Sequence, residues 1–161
     1  MIDVPIHSID LDLSIVDHIH ELRSKVPSKK RSNQGGWQSP FYNAHPQQWE
    51  APHKWVAATI DQILAKAEYS DQITYWFNVN GPGHFNNWHD HGDFGDKISG
   101  CLYIQVPEDS GNIEFHKGKE FTSIQPRPGM LILFANNIKH RVLLNSSNED
   151  RITMAFNLWR M

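Results

Sequence analysis

A change of hydrophobic period near residue 70 most constrains the fold of this 161-residue chain. After that point, short segments rich in β-branched and aromatic residues alternate with turns that contain Gly, Pro, Asn and Asp. The segments are ITYWFNVN, ISGCLYIQV, NIEFH, FTSIQ, GMLILF, HRVLL and RITMAFNLW. Short strands at this spacing are typical of an antiparallel sandwich or barrel. Strands and helices do not alternate here, so the pattern argues against a parallel doubly wound sheet.

The first part of the chain has a helical period instead. Apolar residues recur there at intervals of three and four: Ile15, Ile19, Leu22 and Val26. This spacing predicts a helix with Ser14 as its N-cap, ended by Pro27. A second helix is predicted from Glu50 to Ala67. We therefore expect a single domain over residues 1–161, mainly β, with a helical part at 1–70 and a β-core at 71–161.

Composition limits the classes of function. Fifteen basic and eighteen acidic residues give a net charge of −3, which offers no electrostatic case for nucleic-acid binding. The only cysteine is Cys101, so an internal disulfide is excluded. We see neither a signal-peptide pattern nor an apolar run approaching the ~18 residues of a membrane span, and expect a cytoplasmic protein. Ten histidines are many for this length and direct attention to metal chemistry.

Candidate metal ligands cluster in NNWHDHGDFGDKISG, residues 86–100. Two overlapping spacings occur there, His89-x-His91 and His91-x-Asp93. Alternate residues of a strand point the same way, so either pair could bind one ion. His140, where a turn passes into an apolar strand, is the expected distant partner. Two imidazoles and one carboxylate on one face of a metal form the facial triad of non-haem iron(II) oxygenases.

Arg151 and Thr153 open the last predicted strand and would lie on the same face of it. A guanidinium matches a carboxylate with two parallel hydrogen bonds. Beside a metal, this pair would suit a small dicarboxylate. The alternative for Arg151 is a surface ion pair with Glu149 or Asp150.

Several motifs in order make the chain resemble the 2-oxoglutarate- and iron(II)-dependent oxygenases. They are the histidine cluster, SGCLYIQVPEDSGNIEF, PRPGMLILFANNIKH and RITMAFN. SNQGGWQS and GHFNNWHDH are similar to a small, prolyl-hydroxylase-like branch of bacteria and bacteriophages. The resemblance covers roughly residues 32–159.

The resemblance implies a double-stranded β-helix, a jelly roll related to the cupins, with the metal at one mouth. It implies iron(II) as cofactor, with 2-oxoglutarate and O2 as cosubstrates. Arg151 matches the arginine that binds the distal carboxylate of 2-oxoglutarate, Thr153 its hydroxyl companion, and Tyr103 a tyrosine that helps to hold that carboxylate. The implied reaction hydroxylates a protein side chain or a small metabolite and releases succinate and CO2. For a bacteriophage protein, the location would be the host cytoplasm.

The third metal ligand stays open between two registers. Alignment from Gly83 places His89 and His91 on the motif but needs two extra residues before Ser99. Alignment backwards from Ser99 places His91 and Asp93 on it without an insertion. Charge favours Asp93, because a carboxylate neutralises part of the metal charge while three imidazoles do not. The residue that does not bind the metal could still orient a ligand.

Other functions compete with the hydroxylase. A cupin-like metalloenzyme with three histidines would suit the His89 register but would leave Arg151 without a purpose. A non-catalytic jelly-roll binding protein is the third possibility. Trp88, beside the ligands, is the aromatic residue that we expect to contact a substrate, and the substrate itself is not specified by the sequence.

Overall fold

The protein is described by a computed structural model, which defines residues 2–44, 56–68, 72–92 and 97–159. Two helices are present in these ranges, α1 (Ser14–Lys25) and α2 (Ala57–Ala67). The strands are β1 (Ile6–Ser8), β2 (Asn33–Gln34), β3 (Trp37–Gln38), β4 (Tyr42–Ala44), β5 (Gln72–Asn80), β6 (Phe85–His89), β7 (Lys97–Gln105), β8 (Ile113–Lys117), β9 (Glu120–Ile124), β10 (Met130–Ala135), β11 (Lys139–Val142) and β12 (Arg151–Trp159). The predicted mainly-β class is confirmed. Neither described helix is long and apolar enough to cross a membrane.

The strands form two antiparallel sheets. The major sheet has seven strands, in the order β1-β10-β7-β12-β5-β3, with β4 also paired to β5. The minor sheet has five, in the order β2-β6-β11-β8-β9. The neighbours in each sheet are mostly distant in sequence, so the sheets form by long-range pairing, as in a jelly roll.

Two apolar cores lie on opposite faces of the major sheet. One packs helices α1 and α2 against that sheet, through residues such as Ile19, Ile60 and Phe156. The other lies between the two sheets and includes Phe115 and Phe134. The order of layers is therefore helices, major sheet, minor sheet.

Strict alternation along β12 serves both faces. Its even-numbered side chains join the core under the helices: Ile152, Met154, Phe156 and Leu158. Its odd-numbered side chains line a cavity between the sheets: Arg151, Thr153, Ala155 and Asn157. Successive strand residues point to opposite faces, so one strand builds the core and the wall of the cavity together.

The start of α1 differs from the prediction in its capping. The helix begins at Ser14, but its N-cap is Leu13, whose side chain makes no capping hydrogen bond. The Ser14 backbone N–H and hydroxyl both donate to the Asp12 carboxylate, at 3.0 and 2.7 Å. The assignment of Ser14 as N-cap was wrong, because Asp12 is the local acceptor. For the second helix, the described part is Ala57–Ala67, and the predicted start at Glu50 lies outside the described residues.

The segment around Gly35 and Gly36 crosses from one sheet to the other. Strand β2 pairs with β6 of the minor sheet, and β3 pairs with β5 of the major sheet. Gly35 has a φ of +88°, which favours glycine. A Cβ on Gly36 would overlap the Asn80 side-chain oxygen. Both glycines thus permit a sharp crossing between Ser32 and Gln38, two residues that line the cavity.

Candidate metal centre and binding cavity

Three histidines converge at one end of the space between the sheets. His89 ends β6 and lies directly opposite His140 on β11, and His91 follows two residues later. One ring nitrogen from each residue lies within 4.8 Å of the other two. The ring centroids are 4.2 Å apart for His89 and His140, 5.0 Å for His91 and His140, and 5.5 Å for His89 and His91. This spacing can hold one metal ion.

A β-bulge aims His89 into the cluster. The register pairs His140 with His89 and Val142 with Asn86, so two residues of β6 face Arg141 alone. An extra residue in one strand reverses the side on which the next side chains point. Asn86 and His89 can therefore both face the interior although they are three residues apart.

The Nδ1 atom of each histidine is held by the protein. In His89 and His140 it lies 2.7 and 2.9 Å from the carbonyl oxygens of Asn87 and Ile138 respectively. A carbonyl only accepts, so Nδ1 carries the proton in both rings and Nε2 carries the lone pair. Among the described residues no Nε2 of the three histidines has a hydrogen-bond partner. The donor atoms that a metal needs are thus unprotonated and unused.

His91 is held by side chains instead. Its Nδ1 lies 2.8 Å from the Ser99 hydroxyl and 2.9 Å from the Asn157 side-chain oxygen. Ser99 also donates to that oxygen, at 2.7 Å. Its ring meets Trp76 edge-on at 5.6 Å between centroids.

Electrostatics keeps the three rings neutral. Burial lowers the pKa of His89. Burial, reinforced by His89, lowers the pKa of His91 to about 4. Burial, with His89 and His91 nearby, holds the pKa of His140 well below its ordinary value. At neutral pH the cluster therefore presents three uncharged imidazoles, the form that binds metals.

The structure brings together one of the two competing ligand sets. His89, His91 and His140 are brought together, whereas Asp93 lies in residues 93–96, outside the described residues. The side chain of Asp90 accepts a hydrogen bond from the Gly92 backbone N–H at 3.0 Å and is not a member of the cluster.

A cavity of ≈ 630 Å³ connects the histidines with Arg151. The far end from the cluster is formed by neighbouring strands: Tyr103 on β7 pairs with Thr153 on β12, which pairs with Asn78 on β5. Amide and aromatic side chains form much of the remaining lining: Gln38, Phe41, Trp76, Asn80, Asn86, Asn87 and Trp88. A volume of this size fits a small-molecule ligand.

Arg151 is a buried cation rather than a surface one. Only 3% of the residue is exposed, and its Nη1 donates to the carbonyl oxygens of Ser110 and Gly111 at 2.7 and 3.2 Å. Among the described residues no carboxylate forms an ion pair with it, and Asp150 pairs with Arg23 at 3.4 Å. The expected alternative, a surface pair with Glu149 or Asp150, is not found. Nε and Nη2 donate to none of the described residues, which leaves a guanidinium edge for a ligand.

The neighbours of Arg151 can add hydrogen bonds. Tyr103 and Thr153 are both buried and line the same cavity. Burial raises the pKa of Tyr103 well above its ordinary value, so the phenol stays protonated and can donate.

Trp88 lies at the rim of the cavity. It is 42% exposed, and Arg141 lies over its ring at 4.7 Å. Its ring lies edge-on to that of His116, with 6.1 Å between the centroids. Trp76, which the sequence did not single out, lies deeper, with 8% exposed. Ser99 and Asn157 were also missed, although Asn157 continues the odd-numbered face of β12 that Arg151 and Thr153 begin.

The hydrogen bonds of the cluster predict its tautomers. At pH 7, His89 and His140 of the metal-free protein should both be the neutral Nδ1–H form, because each Nδ1 faces a carbonyl oxygen. Two-bond ¹H–¹⁵N correlation spectra of the imidazole rings distinguish the two tautomers. Nε2–H signals for both residues would contradict the geometry.

Comparisons with known proteins agree with the fold. Residues 116–157 match a family model described as "Putative 2OG-Fe(II) oxygenase". That range includes His140, Arg151 and Thr153 but begins after His89 and His91. Comparison with curated protein sequences finds no significant match.

Three solved structures share the fold over nearly the whole chain. A Pseudomonas putida prolyl-4-hydroxylase has a TM-score of 0.67 and 20% identity, covering 99% of this chain and 94% of its own. HygX of Streptomyces hygroscopicus, solved with nickel and 2-oxoglutarate bound, has a TM-score of 0.66 and 10% identity, covering 98% and 82%. The viral collagen prolyl hydroxylase of Paramecium Bursaria Chlorella virus-1, a 2-oxoglutarate complex, has a TM-score of 0.58 and 17% identity, covering 98% and 96%. The chain therefore has the double-stranded β-helix fold of the 2-oxoglutarate- and iron(II)-dependent oxygenases and matches that family over residues 116–157, which confirms the resemblance predicted from its motifs.

Proposed function

We propose that this protein is an iron(II)- and 2-oxoglutarate-dependent dioxygenase that hydroxylates a protein side chain or a small metabolite. One observation carries the proposal: three neutral imidazoles with unused Nε2 atoms share a cavity with a buried arginine that has no carboxylate partner among the described residues. A metal ion would bind the three Nε2 atoms, and a dicarboxylate would pair with the guanidinium of Arg151.

His89, His91 and His140 would hold the metal. Three histidine ligands would leave coordination positions of the metal free for cosubstrate and oxygen, as in facial sites. Bound iron(II) supplies the activation of O2 that couples oxidative decarboxylation of 2-oxoglutarate to oxidation of a substrate. The chain's own part is to present three Nε2 lone pairs without a protonation step and to exclude bulk water with the aromatic lining.

Arg151 would bind the distal carboxylate of 2-oxoglutarate through its Nε and Nη2 edge. The hydroxyls of Thr153 and Tyr103 would add hydrogen bonds on the same side. Two charge-assisted bonds to a planar fork fix orientation as well as affinity. The hydrogen bonds from Nη1 to the carbonyl oxygens of Ser110 and Gly111 support this role, because they hold the guanidinium in place and leave its Nε and Nη2 atoms for the ligand.

A second candidate uses the same histidines. Three-imidazole coordination also suits a cupin-like metalloenzyme, such as a thiol dioxygenase or an isomerase, which needs no 2-oxoglutarate. That function leaves the buried cation of Arg151 unexplained. A non-catalytic binding protein would be expected to bind neither ligand productively.

The deciding experiment uses the full chain under anaerobic conditions. We expect iron(II) and 2-oxoglutarate together, but neither alone, to give a visible metal-to-ligand charge-transfer band. Admission of O2 should then yield succinate. Iron binding without the band or succinate would favour the cupin-like function, and the absence of iron binding would favour the non-catalytic one.

Replacement of Arg151 separates cosubstrate binding from metal binding. Arg151→Ala should weaken 2-oxoglutarate binding about 30-fold or more, since loss of one partner of a buried charge pair costs roughly 2–5 kcal/mol. Iron(II) affinity should change little. Arg23→Ala is the matched control, because Arg23 is a surface arginine that pairs with Asp150. Equal loss of both affinities in Arg151→Ala would remove its assigned role.

Two further variants decide the third metal ligand. We expect His89→Ala to lose most of its iron(II) affinity, because His89 supplies one of the three converging nitrogens. Asp93→Ala tests the carboxylate that charge arguments favour, and His116→Ala removes an exposed histidine as a control. Bound iron is measured after equilibrium dialysis. Retention of iron by His89→Ala and loss by Asp93→Ala would assign the site to His91, Asp93 and His140.

A further inference from the structure

His91 differs from the other two histidines in what holds it. His89 and His140 each bond to the backbone carbonyl two residues earlier in the chain, that of Asn87 and that of Ile138. These acceptors belong to the backbone and are present whatever the side chains are. His91 lies beyond the end of β6, and its Nδ1 reaches two side chains of the major sheet. Its orientation therefore depends on residue identity at two other positions.

Those two side chains form a matched pair. Ser99 on β7 and Asn157 on β12 are directly opposite each other in the ladder, and both face the cavity side of the sheet. Ser99 is fully buried and Asn157 nearly so. Ser99 donates to the Asn157 oxygen at 2.7 Å, and His91 Nδ1 lies within 2.9 Å of both oxygens. Since the Asn157 oxygen can only accept, the ring proton must be on Nδ1.

The other contacts of the His91 ring would not select this state. Trp76 and Phe134 approach it with ring centroids at 5.6 and 6.2 Å. Such apolar contacts limit the position of the ring but favour neither tautomer. Among the described residues it is the Ser99–Asn157 pair that holds the proton on Nδ1 of His91 and so leaves the lone pair on Nε2, which faces the cluster.

We propose that Asn157, supported by Ser99, is a positioning residue for the metal centre. It fixes the tautomer and the direction of His91, and so ties a metal held mainly by the minor sheet to the central strand of the major sheet. The inference rests on the proposed metal site. Hydrogen-bond partners of metal-bound histidines generally affect metal affinity by about 10- to 100-fold.

Four variants test the assignment, with cobalt(II) alone as the probe. Asn157→Leu keeps the approximate size but removes the acceptor, and should weaken cobalt binding about 10- to 100-fold. Asn157→Asp keeps an acceptor and should bind at least as tightly as wild type. Ser99→Ala leaves Asn157 in place and should lose less than Asn157→Leu. Thr74→Val is the matched control: Thr74 faces Asn157 from β5, but its hydroxyl bonds to Asn43 and Trp159.

Two measurements are made on each variant. Cobalt affinity is obtained by titration with its visible absorption spectrum, which also reports a change of ligand geometry. The His91 tautomer is read in the metal-free protein by two-bond ¹H–¹⁵N correlation and should include the Nε2–H form in Asn157→Leu only. Unchanged affinity and an unchanged Nδ1–H tautomer in Asn157→Leu would overturn the inference. If that variant does not fold, the smaller Asn157→Ala, which also lacks the acceptor, replaces it, and an unchanged cobalt affinity with an unchanged Nδ1–H tautomer there would overturn the inference.

The outcomes separate this inference from the proposed function. A wild-type protein that binds no cobalt would count against the metal centre as a whole. The tautomer measurement needs no metal, so it still tests whether Asn157 sets the state of His91. Tight wild-type binding that is insensitive to Asn157 would leave the metal centre intact and remove only the positioning role.

Discussion

The pairing of β12 between β5 and β7 is the interaction on which the rest of the structure depends. This strand is buried on both faces: one packs against the helices and the other lines the cavity. Its register with both neighbours places Arg151, Thr153 and Asn157 in separate rows of the same face of the sheet. A slip of one residue would exchange every core side chain for a cavity side chain. The stability of the fold and the order of the polar groups are therefore set by the same hydrogen-bond ladder.

The histidine cluster combines contributions from both sheets. The minor sheet supplies His89 and His140 as a directly opposed pair, with their Nδ1 atoms bonded to backbone carbonyls. The major sheet supplies no member of the cluster but holds His91 through side chains. The site thus forms only when the two sheets are packed together, which links its geometry to the inner core around Phe115 and Phe134. Neither sheet alone would bring the three nitrogens together.

Much of this could be predicted from the sequence, for physical reasons that differ between elements. Strand β12 was predicted with its observed bounds, since all of its nine residues except Arg151 and Asn157 are β-branched or apolar and the strand follows a clear turn. Strands β2 and β3 were missed, because two-residue strands in a Gly-rich segment have no period to detect. The cavity positions of Arg151 and Thr153 followed from alternation. Asn157 obeys the same alternation, but amide side chains carry no signal that separates a ligand support from a polar core residue.

The direction of the His89 side chain could not be predicted from the sequence, because a β-bulge in β6 lies just before this residue. In a regular strand, residues three positions apart, such as Asn86 and His89, point to opposite faces. The bulge adds one residue between them, so both can point to the same face. Bulges have no reliable residue signature, and this one contains Asn87 and Trp88 rather than glycine. The charge argument for Asp93 concerns only the metal, whereas the position of His89 is fixed by strand pairing. The choice between the two residues as third ligand stays a prediction, because Asp93 lies outside the described residues.

Charge in the cavity gives the remaining constraint on what it can bind. The charged side chains of the described lining are three cations, Arg31, Lys97 and Arg151, and one anion, Asp90. The imidazoles are neutral, so a bound divalent metal would add its full charge to this excess. A cationic ligand would then be repelled along the whole cavity, while a dicarboxylate would meet opposite charge at both ends, at the metal and at Arg151. Among the described lining residues Asp90 is the only anion, so we expect an anionic ligand to balance much of this charge. Binding of the metal and binding of the dicarboxylate should then each strengthen the other.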